Sequence, residues 1–280
     1  MKNTIVHPTD FSKCANDALD YAIELAKILN CKINIVHSLD FDGELHATHN
    51  ASSMLAMSQK VEKTAEIKLK ALGDKVIENN VECTAGIYTG KIHSWLPDYI
   101  SENKPMLVIM GTTGAGSVAN KIFGSNTYAI IKNSKSPILA IPEATELKNG
   151  FKNFVLSTAY RDRDVEAIMF LARLAKPSNA EISVVHVLSA EASKKKNNQH
   201  LLDDLARRVR VDENYFNIKY DLLYSNDPES RLRILVEEKN PDMLTLIMRK
   251  QGFFERLFFG SLTEKLAYNS NVPLLIFPAD

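Results

Sequence analysis

Met106-Leu-Val-Ile-Met110-Gly111-Thr-Thr-Gly114, followed after nine residues by Gly124-Ser125-Asn126, is the stretch that decides the fold. The apolar run 106–110 reads as a buried strand, and the amphipathic segment 126–132 reads as a helix. A glycine-rich loop between a strand and a helix is a phosphate cradle: glycine takes φ > 0 without strain and lets the backbone approach a ligand. The helix start adds N–H groups and the positive end of its dipole. Ser125 adds a hydroxyl there. No Gly-Lys-Ser/Thr follows and the spacing is not Gly-x-Gly-x-x-Gly, so the loop is an anion site of another kind.

Around this loop the chain repeats itself. Ser136-Pro137-Ile-Leu-Ala-Ile-Pro142 rhymes with Asn271-Val-Pro273-Leu-Leu-Ile-Phe-Pro278, and Phe123-Gly124-Ser125 with Phe259-Gly260-Ser261. Ile33-Asn-Ile-Val-His37 rhymes with Ile182-Ser-Val-Val-His186. A period near half of 280 residues is too long for a solenoid and means two copies of one domain, expected at 1–146 and 150–280. In the first copy the pattern predicts strands at 4–7, 32–38, 82–88, 106–110 and 137–141, with helices at 14–29, 52–78, 93–102 and 126–132. In the second it predicts strands at 154–158, 181–188, 218–223, 243–248 and 274–277, with helices at 164–175, 199–213, 229–238 and 262–267. Alternation of this kind implies two tandem α/β domains, each a doubly wound parallel sheet of Rossmann-like type. Such sheets bind ligands at the carboxyl ends of their strands, where strand order reverses, and Asp10 and Gly111 both fall just after strands.

Composition narrows the class. No apolar run approaches the roughly 20 residues that span a bilayer, and the N-terminus enters a strand at once without a signal-peptide core. Cys14, Cys31 and Cys83 lie far apart, as expected of reduced, buried thiols in a cytoplasmic protein. The formal net charge is zero, which gives no reason to expect a nucleic-acid or membrane partner. Every arginine lies at position 161 or beyond, so a phosphate site in the first copy relies on backbone N–H groups rather than an arginine clamp.

The same residues resemble the universal stress protein family, ATP-binding type. Ile5-Val-His-Pro8-Thr9-Asp10-Phe11-Ser12 is similar to that family's opening strand and turn, Val36-His37-Ser38 to its second strand, and Gly90 to the glycine before its third helix. The Gly-x-x-Gly, nine residues, Gly-Ser pattern resembles its nucleotide loop. The resemblance implies an adenine-nucleotide alpha-hydrolase-like fold, with ATP, AMP or ADP as the ligand, with or without Mg. Carried over, it has Asp10 accept from the adenine amino group, Pro8 and Thr9 line the base pocket and the backbone at Ser38 complete base recognition. Met110 and Gly111 would follow the ribose and α-phosphate, and Gly114, Gly124, Ser125 and Asn126 would hold the phosphates. It further implies a nucleotide-dependent regulator of the stress response, an internal pseudo-dimer with pairing of the fifth strands, a further homodimer and an unidentified protein partner. A slow ATPase and an interaction module with a vestigial site are the alternatives. No catalytic residue and no metal site are expected.

The second copy departs at the loop. Alignment on Gly260-Ser261 puts Ile247 at Gly111 and Lys250 at Gly114; alignment of the opening strands puts Tyr160 at Asp10. Isoleucine does not take φ > 0 comfortably, so this copy is expected to have lost ATP. Asp10 has a second reading, as a helix cap for Ser12 onward. His46 and His49, with Asp40, Asp42 and Glu44, read as a polar loop rather than a metal site. His37 and His186 read as structural histidines, and Cys83 as core. Lys194 to Lys196 and Arg249-Lys250 read as solvated loop charges, while Phe253 to Phe259 reads equally as a partner surface or as loop packing.

Overall fold

The computed structural model describes residues 3–41, 51–113, 124–143, 145, 147, 150–189, 198–209, 217–248 and 272–278. These form two compact units, one running to Ser136 and the other from Pro137.

In the first unit the elements are β1 (Thr4–Thr9), α1 (Lys13–Leu29), β2 (Lys32–Leu39), α2 (Ala51–Glu78), β3 (Cys83–Thr89), α3 (Ile92–Asn103), β4 (Leu107–Gly111) and α4 (Ser125–Asn133). The strands lie in the order β3-β2-β1-β4 and all pair in parallel. The order reverses between β1 and β4, because β2 and β3 are laid to one side of β1 before the chain crosses to the other. Strands β1 and β4 are buried almost throughout, as a central parallel strand covered on both faces requires. The edge strand β3 is only partly buried.

Helix α1 packs across this sheet on a stripe of small and branched residues, Ala15, Ala18, Leu19, Ala22, Leu25 and Ala26. Ser12 caps it, its Oγ accepting the Ala15 N–H at 3.2 Å, and Asn30 ends it in the left-handed conformation at φ 51°.

The second unit contains β5 (Ile138–Ile141), β6 (Asn153–Ser157), α5 (Asp162–Ala175), β7 (Glu181–Leu188), α6 (Asn198–Arg208), β8 (Ile218–Tyr224), α7 (Pro228–Lys239), β9 (Met243–Ile247) and β10 (Leu274–Phe277). Strands β8-β7-β6-β9-β10 pair in parallel, the same winding as the first unit. Strand β5 groups with this unit and runs antiparallel to β10, Leu139 opposite Leu275. Val155, Val185, Leu232, Leu235, Val236, Leu244 and Leu246 form a core between the sheet and α7. No helix among the described residues is long and apolar enough to cross a membrane.

Strand β1 runs two residues past the predicted end, through Pro8 to Thr9. A proline inside a central strand normally removes a ladder bond. Here β4 pairs with β1 only at Ile5 and Val6, so Pro8 stands beyond that ladder and keeps β2 as its neighbour. His7 stands between, fully buried, with Nδ1 donating to the Ile109 carbonyl at 2.9 Å and Nε2 without a partner. Burial pushes the His7 imidazole down from 6.5 to about 4, against the pull of the Ile109 carbonyl.

The native state therefore keeps His7 neutral while the unfolded chain takes up a proton below about 6.5. Stability is full above that pH and falls as pH drops from 6.5 towards 4, a loss of about 3 kcal/mol from this one group. His7→Asn keeps a donor for Ile109 but cannot titrate. We expect it to be less stable than wild type at pH 7.5 and to show a shallower decline between pH 6.5 and 4.5. Urea unfolding at a series of pH values measures this, and parallel declines for the two proteins would contradict it.

Candidate functional site

The ends of β1, β2 and β4 and the start of α4 carry nine of the ten residues singled out in the sequence; Gly114 lies outside the described residues. Pro8 and Thr9 close β1, Ser38 lies near the end of β2, Met110 and Gly111 end β4, and Gly124, Ser125 and Asn126 open α4. Parallel pairing puts all of these strand ends at one edge of the sheet, and β1 and β4 flank the reversal in strand order.

The turn after β1 is built by side chains that bind backbone. Phe11 is left-handed at φ 63°, a conformation that an aromatic residue takes only when held there. Thr9, 2% exposed, accepts the Phe11 N–H on Oγ1 at 3.0 Å. His37 Nδ1 donates to the Thr9 carbonyl at 2.7 Å, and the Phe11 ring lies 4.3 Å from the His37 ring. Burial holds His37 below the usual histidine range, with the Thr9 carbonyl and the Asp10 carboxylate opposing it. Lys68 of α2 lies over the Phe11 ring, its Nζ 5.1 Å from the ring centre. Asp10 is thereby left exposed at the tip, with Oδ1 accepting the Ser12 N–H at 3.0 Å. The cap of α1 is Ser12, so Asp10 supports the turn without being the helix cap.

At the other side of the reversal, the Gly124 N–H donates to the Thr112 carbonyl at 2.8 Å and closes the mouth of the loop. Thr127 Oγ1 reaches the Gly111 carbonyl at 3.3 Å. Gly124 has no side chain to cap α4, so the first turn's N–H groups have no side-chain acceptor at the cap position. Ser125 and Asn126 are exposed, and His93 of α3 donates from Nδ1 to Asn126 Oδ1 at 2.9 Å. Ser38 donates its hydroxyl to the Gly90 carbonyl and accepts Trp95 Nε1–H at 3.0 Å, so its side chain is committed to α3.

The glycines act differently from the expectation. Neither Gly111 nor Gly124 has positive φ; Gly124 sits at −59°, and the described glycines that do are Gly90 and Gly150. Gly111 is needed for space: a Cβ there would stand 2.7 Å from Cys14 Sγ and 3.1 Å from the Cys14 backbone. The start of α1 is thus pressed against the end of β4. Cys14 is a neighbour that the sequence pattern did not single out, as are His93 and Lys68.

In the second unit the same turn recurs one residue from where strand alignment placed it. Tyr160 is left-handed at φ 64°, donates its N–H to Thr158 Oγ1 at 3.0 Å and lies 4.3 Å from His186, whose Nδ1 donates to the Thr158 carbonyl at 2.7 Å. Tyr160 is therefore the counterpart of Phe11, and Ala159, not Tyr160, stands where Asp10 does. The acceptor is absent in either alignment. Strand register places Leu107 opposite Ile5 and Met243 opposite Phe154, which keeps Ile247 at Gly111. The place of Ala15 is taken by Asp164, 1% exposed, whose Oδ2 accepts Thr158 Oγ1–H and the N–H groups of Ala159 and Arg161 at 2.8–2.9 Å.

His37 and His186 are both satisfied by backbone, as expected. Burial pushes the Cys83 thiol up to about 11, which leaves no thiolate for nucleophilic work at neutral pH. No group of metal-ligating side chains occurs among the described residues. The segments around His46 and His49, around Lys194 to Lys196, and from Arg249 through Phe259 to Ser261 lie outside the described residues, as does the helix expected at 262–267.

Two doubly wound parallel units, each with a reversal in strand order, define the class of fold as a tandem α/β protein. The sequence pattern of the Universal stress protein family matches residues 1–142 and 151–278, and the chain belongs to that family, as two tandem copies. A universal stress protein of Methanocaldococcus jannaschii is 25% identical over 137 residues, which is 49% of this chain and 80% of that protein. A universal stress protein from Archaeoglobus fulgidus shares the fold at a TM-score of 0.73 and 16% identity, over 99% of this chain and 96% of its own. A universal stress protein solved in complex with cAMP matches 50% of this chain and 97% of its own at 22% identity and a TM-score of 0.39.

Gly111→Ala should destabilise the first unit by about 1–3 kcal/mol, because the new methyl group overlaps a sulfur and fixed backbone. Adding Cys14→Ala should restore part of that loss, since only the sulfur is removed. Urea midpoints of the two variants against wild type decide it; an unchanged Gly111→Ala midpoint would refute the packing argument.

Proposed function

We propose that the first unit binds an adenine nucleotide, ATP foremost, at the ends of β1, β2 and β4, and that the second unit does not. The observation that carries this reading is an exposed carboxylate and an uncapped helix start placed on the two sides of one strand-order reversal. Asp10 is an exposed carboxylate on a fixed turn at the end of β1. The uncapped N-terminus of α4 follows Gly124, with Ser125 and Asn126 exposed. In this reading Asp10 accepts from the adenine amino group and the Ser38 backbone completes base recognition. Pro8 and Thr9 form the wall, Met110 and Gly111 lie under the ribose and first phosphate, and Gly114 and Gly124 to Asn126 hold the remaining phosphates. A bound nucleotide supplies three charged phosphates for the helix dipole and backbone N–H groups to neutralise. Membership of the universal stress protein family supports a role as a nucleotide-dependent regulator in the stress response.

The second unit lacks the acceptor at Ala159 and fills its turn from within through Asp164. Calorimetric titration with ATP is accordingly expected to give one site per chain. Asp10→Ala should weaken ATP about tenfold, the worth of one hydrogen bond to a charged acceptor, while affinity for inorganic tripolyphosphate stays within about twofold. Equal losses for both ligands, or two sites per chain, would sink the reading. Release of ADP with time in the same mixture would identify a slow ATPase.

A further inference from the structure

A cavity of about 320 Å³ lies beside α3 and the edge strand β3; it shares none of its lining residues with the nucleotide reading, although Trp95 touches Ser38 behind it. Its walls are aromatic. Tyr88 of β3 and Trp95 of α3 stack with ring centroids 4.3 Å apart and planes at 18°, and Tyr99 stands edge-on to both, at 5.4 Å from Tyr88 and 6.1 Å from Trp95. The cluster is rigid: Trp95 Nε1–H donates to Ser38 Oγ at 3.0 Å, and Asn34 of β2 donates to the Tyr99 hydroxyl at 2.6 Å. The mouth carries Asp98 and Glu102, one turn apart on the same helix face as Trp95 and Tyr99. Neither carboxylate forms an ion pair among the described residues; Lys91, at the start of the same helix, also lines the cavity.

Ring edges and faces at this density make a wall for a flat apolar or cationic group, and the carboxylates select the charge. A cavity of this volume admits one small molecule or one long side chain. A guanidinium fits better than an ammonium. It is planar, so it stacks on tyrosine or tryptophan, and it can present paired N–H groups to a carboxylate.

We infer that this cavity is a guanidinium site, in which Tyr88, Trp95 and Tyr99 pack against the planar cation and Asp98 and Glu102 neutralise it. The cation comes either as a free small molecule or as an arginine side chain of a partner. The inference does not depend on the nucleotide reading, and its test is run without nucleotide.

Trp95 is the chain's single tryptophan, so its fluorescence reports on the cavity directly. The wild-type protein would be titrated with agmatine, with Nα-acetyl-arginine amide and with the neutral isostere Nα-acetyl-citrulline amide, with calorimetry in parallel. We expect saturable change with the two cations and at least tenfold weaker binding of the citrulline compound. The double variant Asp98→Asn, Glu102→Gln should lose that discrimination while its far-ultraviolet circular dichroism stays the same. Tighter binding of agmatine assigns the site to a free ligand, and tighter binding of the arginine amide assigns it to a partner's side chain. Absence of saturation up to about 10 mM, or equal binding of the arginine and citrulline compounds by wild type, overturns the proposal even if the double variant cannot be made.

Discussion

A single hydrogen bond across two strands governs the geometry at the carboxyl end of the sheet in each unit. His37 on β2 donates to the carbonyl of Thr9 at the end of β1, and His186 donates in the same way to Thr158. That bond ties down the last residue of the central strand. The threonine hydroxyl then accepts the N–H two residues on, and the aromatic residue in between the turn and the helix is held left-handed against the histidine ring. A left-handed aromatic residue costs about 1–2 kcal/mol, which two hydrogen bonds and a ring contact together can offset. The direction of the following helix, and the position of the residue at the tip, follow from this arrangement.

Much of this was legible because periodicity reports burial. The stripe on α1 and the apolar runs of β4 and β9 are long, regular and buried, and the structure places them within a residue or two of where the pattern does. The reach of β1 through Pro8 was not legible, because local chemistry argues against proline in a central strand. It is allowed only because β4 has stopped pairing by then, a fact of register between residues about a hundred positions apart. The same holds for Gly111. Its glycine character was visible, but the reason is the Cys14 sulfur, brought from another element. The one-residue error at Tyr160 has a different origin. Strand-end alignment counts residues, whereas the turn is defined by a threonine, a left-handed residue and a histidine that only the fold brings together.

Ser38 joins two parts of the first unit. Its hydroxyl is held by Gly90 and by Trp95, while its backbone lies at the end of β2 beside the turn that presents Asp10. Gly90, at φ +107°, is the point where β3 ends and α3 turns back, a conformation that favours glycine. The end of β2 is thus joined to the aromatic cluster by the hydrogen bond to Trp95 and to the turn before α3 by the one to Gly90. A serine here, where an aliphatic residue would serve the backbone equally, makes sense as a bolt between β2 and α3.

The two units differ most tellingly in where the turn's carboxylate sits. In the second unit Asp164 is buried inside the helix start and accepts three hydrogen bonds, all from groups of its own turn. That is a stabilising arrangement, since the buried Thr158 hydroxyl and two partly buried N–H groups all find their acceptor in one buried carboxylate. In the first unit the corresponding helix position is Ala15, and a carboxylate stands instead at the exposed tip as Asp10, where it accepts the N–H of Ser12. An exposed hydrogen bond contributes little to stability, because water would satisfy the same groups. The contrast fits the proposed role of Asp10 as the adenine acceptor: its carboxylate is exposed at the tip, whereas that of Asp164 is enclosed by its own turn.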